Sequence, residues 1–182
     1  MAKTAIINFN TGELSGDILK SATTLDSMAG LFEDETARQA MPQNTVLYNV
    51  QYHAPDPDAP GGLLFGTSFI NPGLVGDEYF MTKGHFHKKI DTAEYYWCIA
   101  GQGILLMMAE DGTTDYQAMT PGVLCYIPRR WAHRLVNTGD TVLTIGACWP
   151  ADAGHDYGSI KETSFGLRVK KVDGKPQVIA HD

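Results

Sequence analysis

Two histidines one residue apart, His85 and His87, are the first feature of this sequence that points to chemistry. Side chains alternate between the two faces of a β-strand, so both imidazoles of such a pair lie on one face. Glu94 follows after six residues, where it can return on the neighbouring strand of a hairpin, and His133 falls in a second strand region after Pro128. Three imidazoles and one carboxylate that converge predict a binding site for a first-row divalent metal ion.

The alternative for each histidine is a surface position or a hydrogen-bonded place in the core, which is the commoner situation for a histidine taken alone. A short motif match by itself therefore carries little weight. Here four residues of ligand type fit a two-part pattern. That combination favours a metal site over four unrelated structural roles.

The composition restricts the class of partner. The chain has 182 residues and a formal net charge of −7, which argues against nucleic acid, because such binding relies on Lys and Arg to neutralise phosphates. The three cysteines, Cys98, Cys125 and Cys148, are odd in number and lie in apolar runs, so we expect reduced thiols in the core. The longest apolar run, Ile104 to Ala109, is too short to span a bilayer. We expect a cytoplasmic protein with no membrane partner.

Short strands are the elements that must position the candidate ligands. Apolar runs alternate with turn residues and predict about ten strands, which is typical of an antiparallel sandwich or barrel. Residues 1–20 are expected to form an edge strand or arm, and apolar spacings of three and four predict one helix from Thr24 to about Ala40. We also expect strands from Glu78 to His87, interrupted at Gly84, and from Phe165 to Val172.

Along the strand that begins at Glu94, the alternation of side chains predicts which residues face the interior. Tyr96 shares the parity of Glu94 and should face the same interior. Tyr95 and Trp97 should face the other way and contribute to the core or to an interface. Lys83 has two alternative roles, a solvated charge at a strand end or a phosphate partner, because a bulge after it would reset the parity.

Three polar residues near His133 are expected to have structural roles. Arg130 and Arg134 flank the candidate ligand and are predicted to be ion-pair partners. Asn137 is most simply a turn residue.

Two groups of residues resemble the paired motifs of the cupin superfamily, small jelly-roll barrels with a metal at the centre. The first contains His85, His87, Glu94 and Gly101, and the second reads Gly122-x5-Pro128-x4-His133-x3-Asn137. The chain departs from the commonest cupin pattern by a longer spacer before Glu94, by Tyr79 where Gly is common, and by Arg130 in place of Gly. These departures indicate a subfamily.

Longer segments are similar to a narrower group, the cupin-type phosphoglucose isomerases. They are Thr82–His87 with Glu94–Tyr96, Pro121–Arg134, and Pro150–Gly158. The likeness runs from about Phe9 to about Ile160, and Pro150–Gly158 is its most specific part because generic cupins have nothing like it. The resemblance implies an all-β fold, a cupin double-stranded β-helix (jelly-roll barrel) with an N-terminal arm and a short helix. It also implies one domain over residues 1–182, with arm and helix in 1–44, barrel core in 45–150 and a C-terminal extension in 151–182.

The resemblance assigns roles to individual residues. Its metal ligands correspond to His85, His87, Glu94 and His133. Its substrate contacts correspond to Thr82, Gly84, Tyr96 and Tyr157, and less directly to Tyr48, Ser68 and Trp149. Catalytic roles fall to Glu94, His155 and Tyr157, where His155 and Tyr157 either open the sugar ring or bind the substrate. Trp149 stands where the family has a Tyr, so one hydroxyl that could hold the phosphate is missing.

The function that the resemblance implies is interconversion of glucose 6-phosphate and fructose 6-phosphate in glycolysis and gluconeogenesis. One divalent metal ion per subunit is expected, with Fe(II) preferred and Mn, Ni and Zn as alternatives. Proton transfer through a cis-enediol, with Glu94 or a neighbour as base, and direct hydride transfer both remain open. A metal-dependent cupin oxygenase and a non-catalytic sugar-binding cupin are the alternative functions. The expected partners are a small sugar phosphate and, by resemblance, a second copy in a homodimer.

Overall fold

A computed structural model of the chain describes residues 3–181, with the side chains of residues 161–163 left out. The predicted domain limits at residues 1 and 182 lie outside the described residues. The described part contains fifteen strands and two α-helices. The strands are β1 Ala5–Ile7, β2 Leu14–Gly16, β3 Leu19–Thr24, β4 Val46–His53, β5 Leu63–Ile70, β6 Leu74–Val75, β7 Glu78–Tyr79, β8 Glu94–Ala100, β9 Gly103–Ala109, β10 Thr114–Met119, β11 Leu124–Ile127, β12 Trp131–Asn137, β13 Leu143–Pro150, β14 Leu167–Val172 and β15 Lys175–Ala180. The helices are α1 Glu35–Ala40 and α2 Gly158–Thr163.

Two antiparallel sheets make the barrel. One contains β11, β8, β13, β5, β4 and β3 in that order, and the other contains β10, β9 and β12. Isolated bridges from Met81 to Val136 and from His85 to His133 place residues 80–87 along the remaining edge of β12. These two sheets and the connections between them form a jelly roll, so the predicted all-β cupin fold is confirmed.

Apolar side chains from both sheets meet in one core. Leu105 on β9, Leu135 on β12 and Ile145 on β13 are buried members of the same cluster. Burying each aliphatic side chain of this kind contributes about 1.5–3 kcal/mol. The core therefore holds the two sheets together and fixes the strand ends that carry the polar site.

The predicted helix from Thr24 to Ala40 is wrong in its middle. A 3₁₀-helix covers Leu25–Met28, and α1 begins only at Glu35. Gly30 between them has a φ of +79°, a left-handed conformation that ends a helix. Asp34 then caps α1, because its carboxylate accepts the N–H of Ala37.

The predicted strand from Glu78 to His87 is correct in its interruption at Gly84, where a φ of +73° breaks the extended backbone. It is wrong in its extent, because only β7 is a regular strand and residues 80–87 make isolated bridges. The C-terminal prediction from Phe165 to Val172 agrees with β14. Its partner β15 was missed, although Asp173 and Gly174 between them have φ values of +50° and +77°, which is the signature of a two-residue hairpin turn.

Residues 1–20 contribute more than an edge strand. Strands β1 and β2 pair with each other, and β3 pairs with β4 to extend the larger barrel sheet. A small third sheet of β15, β14, β7 and β6 lies outside the barrel.

Candidate active site

The four candidate ligands come together. One ligand atom from each of His85, His87, Glu94 and His133 lies within 4.8 Å of the others. The backbones of His85 and His133 exchange hydrogen bonds of 3.3 and 3.2 Å, so these two imidazoles come from adjacent strands. His87 follows two residues after His85 on the same segment.

Glu94 reaches the same point from the opposite sheet. It begins β8, which pairs with β11 and β13. The prediction that Glu94 returns on the strand next to His87 is therefore wrong. The intervening residues 88–93 form a turn, closed by a hydrogen bond from the Thr92 N–H to the Lys89 carbonyl, and cross from one sheet to the other.

The facing atoms of this cluster fit a divalent cation. Within residues 3–181, His87 Nε2, His133 Nε2 and Glu94 Oε1 are buried without a hydrogen-bond partner, although buried polar atoms nearly always have one. Glu94 Oε1 lies 3.4 Å from His87 Nε2 and 2.5 Å from His133 Nε2. Imidazole nitrogen and carboxylate oxygen are donors that suit first-row metals.

Neighbouring groups fix which nitrogen of each ring is free. The Thr92 hydroxyl donates its hydrogen to the Lys89 carbonyl, so at 2.8 Å it accepts from His87 Nδ1. The Trp131 carbonyl, which can only accept, lies 3.4 Å from Nδ1 of His133. Both rings therefore carry their proton on Nδ1 and present an unprotonated Nε2 to the centre. The sequence offered no signal for Thr92.

The pKa shifts of His85 and Glu94 agree with metal ligation, which requires neutral imidazole and ionised carboxylate. For His87, burial favours the neutral ring but Glu94 outweighs it and raises the pKa, so a bound cation would replace a proton there. Burial, helped by the neighbouring imidazoles, holds the pKa of His85 well below its usual value. Burial alone would raise the pKa of Glu94, but His133 and His87 outweigh that effect and hold it at about 2.

A cavity of about 450 Å³ opens beside the cluster. His85, Glu94 and His133 line it, whereas His87 is not among the lining residues. All of the predicted substrate contacts line this cavity: Tyr48, Ser68, Thr82, Gly84, Tyr96, Trp149, His155 and Tyr157. The structure therefore brings distant parts of the sequence to a single chamber.

Residues in the segment Pro150–Gly158 form one wall of the cavity. Phe86 and Asp156 exchange backbone hydrogen bonds, which places this segment beside the histidine pair. The His155 ring lies 4.4 Å from that of His85 between centroids, and the Tyr157 ring is stacked on His155 at 5.7 Å and 7°. Burial lowers the pKa of His155 and raises the pKa of Tyr157 to about 12, so both are neutral at pH 7.

Tyr96 faces the interior with Glu94, as its parity predicted. Its ring centroid lies 5.4 Å from that of His133. Tyr95 points outward, is 47% exposed and packs against Tyr126. Trp97 packs against Phe65, which agrees with the expected core role.

A glycine makes room for Trp149. A Cβ atom on Gly66 would lie 3.0 Å from Trp149 Cη2 and equally close to Tyr52. Gly66 and Tyr52 both line the cavity and were missed, although a glycine inside a strand signals close approach of another group.

The two arginines near His133 differ. Arg130 pairs with Asp91 and Glu110 at 2.9 Å each, so its predicted role as an ion-pair partner is confirmed. The same prediction for Arg134 is wrong: within the described residues no carboxylate lies within 4.0 Å of this buried side chain. A backbone carbonyl takes the place of the expected acid, because Arg134 donates to Lys83 at 2.7 Å.

Other local predictions have clear outcomes. Asn137 is a turn residue as predicted, since its side chain accepts the N–H of Gly139 and donates to the carbonyls of Ile70 and Thr141. The three cysteines are free thiols, but the predicted core position is confirmed only for Cys98 and is wrong for Cys125 and Cys148, which are partly exposed. Lys83 lines the cavity with Nζ 6.0 Å from the Tyr157 ring centroid, a position compatible with either of its two alternatives.

The fold and the cluster together define a cupin with a candidate metal centre. The sequence model described as glucose-6-phosphate isomerase (GPI) matches residues 22–181. The chain is 42% identical over 171 residues to glucose-6-phosphate isomerase of Thermococcus litoralis, covering 93% of this chain and 89% of that one. It is 41% identical over 175 residues to the enzyme of the same name from Pyrococcus furiosus, covering 95% and 92%. The chain belongs to the glucose-6-phosphate isomerase family, and the resemblance noted from its motifs is confirmed.

Solved structures add little to this assignment. Oxalate decarboxylase from Bacillus subtilis aligns with 60% of this chain and 26% of its own, at 19% identity and a TM-score of 0.47. That similarity is too low to support a conclusion about this chain. Among the described helices, none has the length and apolar character needed to cross a membrane.

Proposed function

We propose that this protein is a metal-dependent isomerase that interconverts glucose 6-phosphate and fructose 6-phosphate. The observation that carries the proposal is the convergence of His85, His87, Glu94 and His133 beside a cavity of about 450 Å³. The family relatives bear the name of this activity. The cavity is of the size that small-molecule sites commonly have.

The four converging side chains would hold one divalent cation, with Fe(II) as our first choice and Mn, Ni and Zn as alternatives. Once bound, such an ion supplies positive charge that stabilises negative charge developing on the substrate oxygens at C1 and C2. The fixed Nδ1 protons of His87 and His133 keep their Nε2 atoms available for this purpose. Thr92 contributes by orienting His87.

His155 and Tyr157 are proposed to act on the sugar itself. His155 is neutral because burial lowers its pKa, so it can accept a proton from a sugar hydroxyl and return it to the ring oxygen. The Tyr157 hydroxyl keeps its proton and can donate a hydrogen bond to the same part of the substrate. Ring opening and simple substrate binding are both compatible with this geometry.

Glu94 is a weak candidate for the base that removes a carbon-bound proton. Its pKa of about 2 and the two imidazoles beside Oε1 reduce its basicity. Proton transfer through a cis-enediol and direct hydride transfer therefore both remain as routes. Turnover in D2O separates them, because only the first route admits exchange with solvent and so incorporates deuterium at C1 or C2.

A second part of the cavity wall, which includes Thr82 and Gly84 and is called the phosphate end, is proposed to bind the phosphate. The Thr82 hydroxyl accepts the N–H of Leu135 at 3.1 Å, which leaves its own hydrogen free to donate. In the described part of the chain the Gly84 N–H has no partner. Tyr48 and Ser68 add hydroxyls to the same cavity, while Tyr96 and Trp149 are proposed contacts of the sugar and phosphate.

We further propose that the chain works as one cupin domain over residues 1–182, in the cytoplasm and as a homodimer. Tyr95, Tyr116 and Tyr126 on the outer surface are each about half exposed. A second subunit would cover aromatic surface of this kind. The net charge of −7 supports the absence of a nucleic-acid partner.

One assay separates the isomerase from the two alternative functions. Purified protein is mixed with fructose 6-phosphate while glucose 6-phosphate formation and dissolved oxygen are recorded together. An isomerase forms glucose 6-phosphate without oxygen uptake, an oxygenase consumes oxygen, and a binding protein does neither. Absence of glucose 6-phosphate formation at every metal tested would contradict the proposal.

A further inference from the structure

Arg134 is a buried cation, and no carboxylate among the described side chains lies within 4.0 Å of it. It is 2% exposed, and its Nε atom has no hydrogen-bond partner among the same described groups. One Nη2 hydrogen is donated to the Lys83 carbonyl at 2.7 Å, and the guanidinium packs on the Phe165 ring at 4.7 Å from its centroid. A buried charge left without an opposite charge is unfavourable, so its retention calls for a partner from outside the chain.

Arg168 shows what a compensated arginine looks like in the same protein. It is 7% exposed, and Nη1 lies 2.7 Å from Glu78 Oε1. The other carboxylate oxygen of Glu78 accepts the N–H of Glu33 at 3.0 Å. The charge of Glu78 also acts on Arg134, but the hydrogen bonds of Glu78 are made with Arg168 and Glu33.

The guanidinium of Arg134 lies directly behind the cavity lining. A Cβ atom on Gly84 would stand 3.1 Å from Arg134 Nε and 2.8 Å from Phe165 Cε2. Thr82, Lys83 and Gly84 all line the cavity. One layer of backbone therefore separates the charge of Arg134 from the space proposed for the substrate phosphate.

The same arginine holds that layer in place. Its bond to the Lys83 carbonyl holds the peptide between Lys83 and Gly84, and the Tyr48 hydroxyl interacts with the Lys83 backbone. The Gly84 backbone is kept at a φ of +73° in this arrangement. The unpartnered Gly84 N–H and the Thr82 hydroxyl thereby have fixed positions at the cavity wall.

We propose that Arg134 is the positioning residue for the phosphate end of the substrate. It sets the backbone of residues 82–84 that contacts the phosphate, and its charge attracts the phosphate dianion through that layer. Attraction between opposite charges is strong across a short, water-free distance. This inference rests on the proposed function, since that function supplies the anion.

The test is calorimetric binding of fructose 6-phosphate, inorganic phosphate and unphosphorylated fructose to metal-free protein. Arg134→Gln keeps a donor for the Lys83 carbonyl and removes the charge, and Arg134→Lys keeps the charge on a different donor geometry. Arg168→Gln is the matched control. We expect Arg134→Gln to weaken binding of both phosphate ligands by roughly tenfold or more and to leave fructose binding unchanged. In turnover, KM should rise by a similar factor while kcat changes little.

Arg168→Gln should lower the melting temperature and leave phosphate affinity within about twofold of wild type, because Arg168 makes its hydrogen bonds with Leu31, Glu78 and His181, and none of these residues lines the cavity. Wild-type phosphate affinity in a folded Arg134→Gln would overturn the inference. If that variant does not fold, Arg134→Lys decides: partial loss of phosphate affinity with unchanged fructose binding supports the role, and wild-type affinity for all three ligands overturns it.

These outcomes are distinguishable from failure of the proposed function. Phosphate binding that depends on Arg134 in a protein without turnover would contradict the isomerase and leave the positioning role standing. Normal turnover with unchanged phosphate affinity in Arg134→Gln would support the isomerase and contradict the positioning role of Arg134.

Discussion

The two ends of the cavity are built on different principles. At the metal end, side chains of ligand type from two opposed sheets point at one position. Glu94 Oε1 and the Nε2 atoms of His87 and His133 have no hydrogen-bond partner in the part of the chain that the structure describes. At the proposed phosphate end, hydroxyl groups and residues 82–84 line the cavity, and Arg134 donates to the Lys83 carbonyl. Metal binding at the first end depends on the types of the side chains. Phosphate binding at the second end is proposed to depend on the backbone conformation of residues 82–84 and on Arg134, which holds that backbone.

The largest effect is expected at the metal end from Glu94→Gln. An amide in place of the carboxylate removes the negative charge among three imidazoles, and we expect kcat to fall by about a thousandfold with loss of bound metal. Kinetics and metal analysis of the purified variant measure both. The control is Glu110→Gln, an exposed carboxylate paired with Arg130, which should keep wild-type activity. A Glu94→Gln variant with near-normal rate would show that the ligand assignment is wrong.

Thr92→Val tests whether the hydrogen bond that orients the ligand His87 contributes to metal affinity. Valine removes the hydroxyl that accepts from His87 Nδ1 at 2.8 Å and keeps the shape. Metal affinity should fall by roughly 10- to 100-fold, as measured by titration with a competing chelator. Thr92→Ser retains the hydroxyl and should bind metal nearly as wild type does. Equal affinities for the two variants would count against the proposed orientation of His87.

At the phosphate end, Gly84→Ala tests the role of backbone conformation. Alanine is strained at a φ of +73°, and its Cβ would lie 2.8 Å from Phe165 Cε2. We expect a loss of about 1–3 kcal/mol in the free energy of unfolding together with a higher KM for fructose 6-phosphate. Gly112→Ala has a similar φ of +84° in open space, so it should lose stability without a change in KM. A change in KM of equal size in both variants would contradict the prediction.

The smallest effect is expected from Trp149→Tyr, which restores the hydroxyl that the family motif contains. One added hydrogen bond predicts KM for fructose 6-phosphate lower by about two- to tenfold. Trp149→Phe removes the indole without adding a hydroxyl and should show no such gain. If both variants shift KM equally, packing against Gly66 rather than the hydroxyl controls binding.

Local patterns predicted the metal end well. The period of two along a strand placed His85 with His87, and the same period placed Tyr96 with Glu94. The sheet that carries Glu94 could not be predicted in this way. Residues 88–93 cross from one sheet to the other, and that crossing depends on the three-dimensional fold and not on the local pattern. Thr92 was missed for a related reason: its hydroxyl acquires a role only when the turn brings it to Nδ1 of His87.

Other parts of the fold had local signals that were outweighed or overlooked. Apolar spacing predicted a continuous helix from Thr24, but the left-handed backbone at Gly30 divides it. The Asp173-Gly174 pair was a hairpin signal for β15. The unpaired state of Arg134 had no sequence signal, because it depends on Glu78 being paired with Arg168 far along the chain.

Metal dependence of turnover tests the central claim most directly. The protein is treated with EDTA, dialysed, and assayed for conversion of fructose 6-phosphate to glucose 6-phosphate with a coupling enzyme, before and after addition of Fe(II) or Mn(II). We predict loss of turnover on metal removal and recovery that saturates at one ion per chain. Full turnover by the metal-free protein, or none with any added metal, would contradict the account.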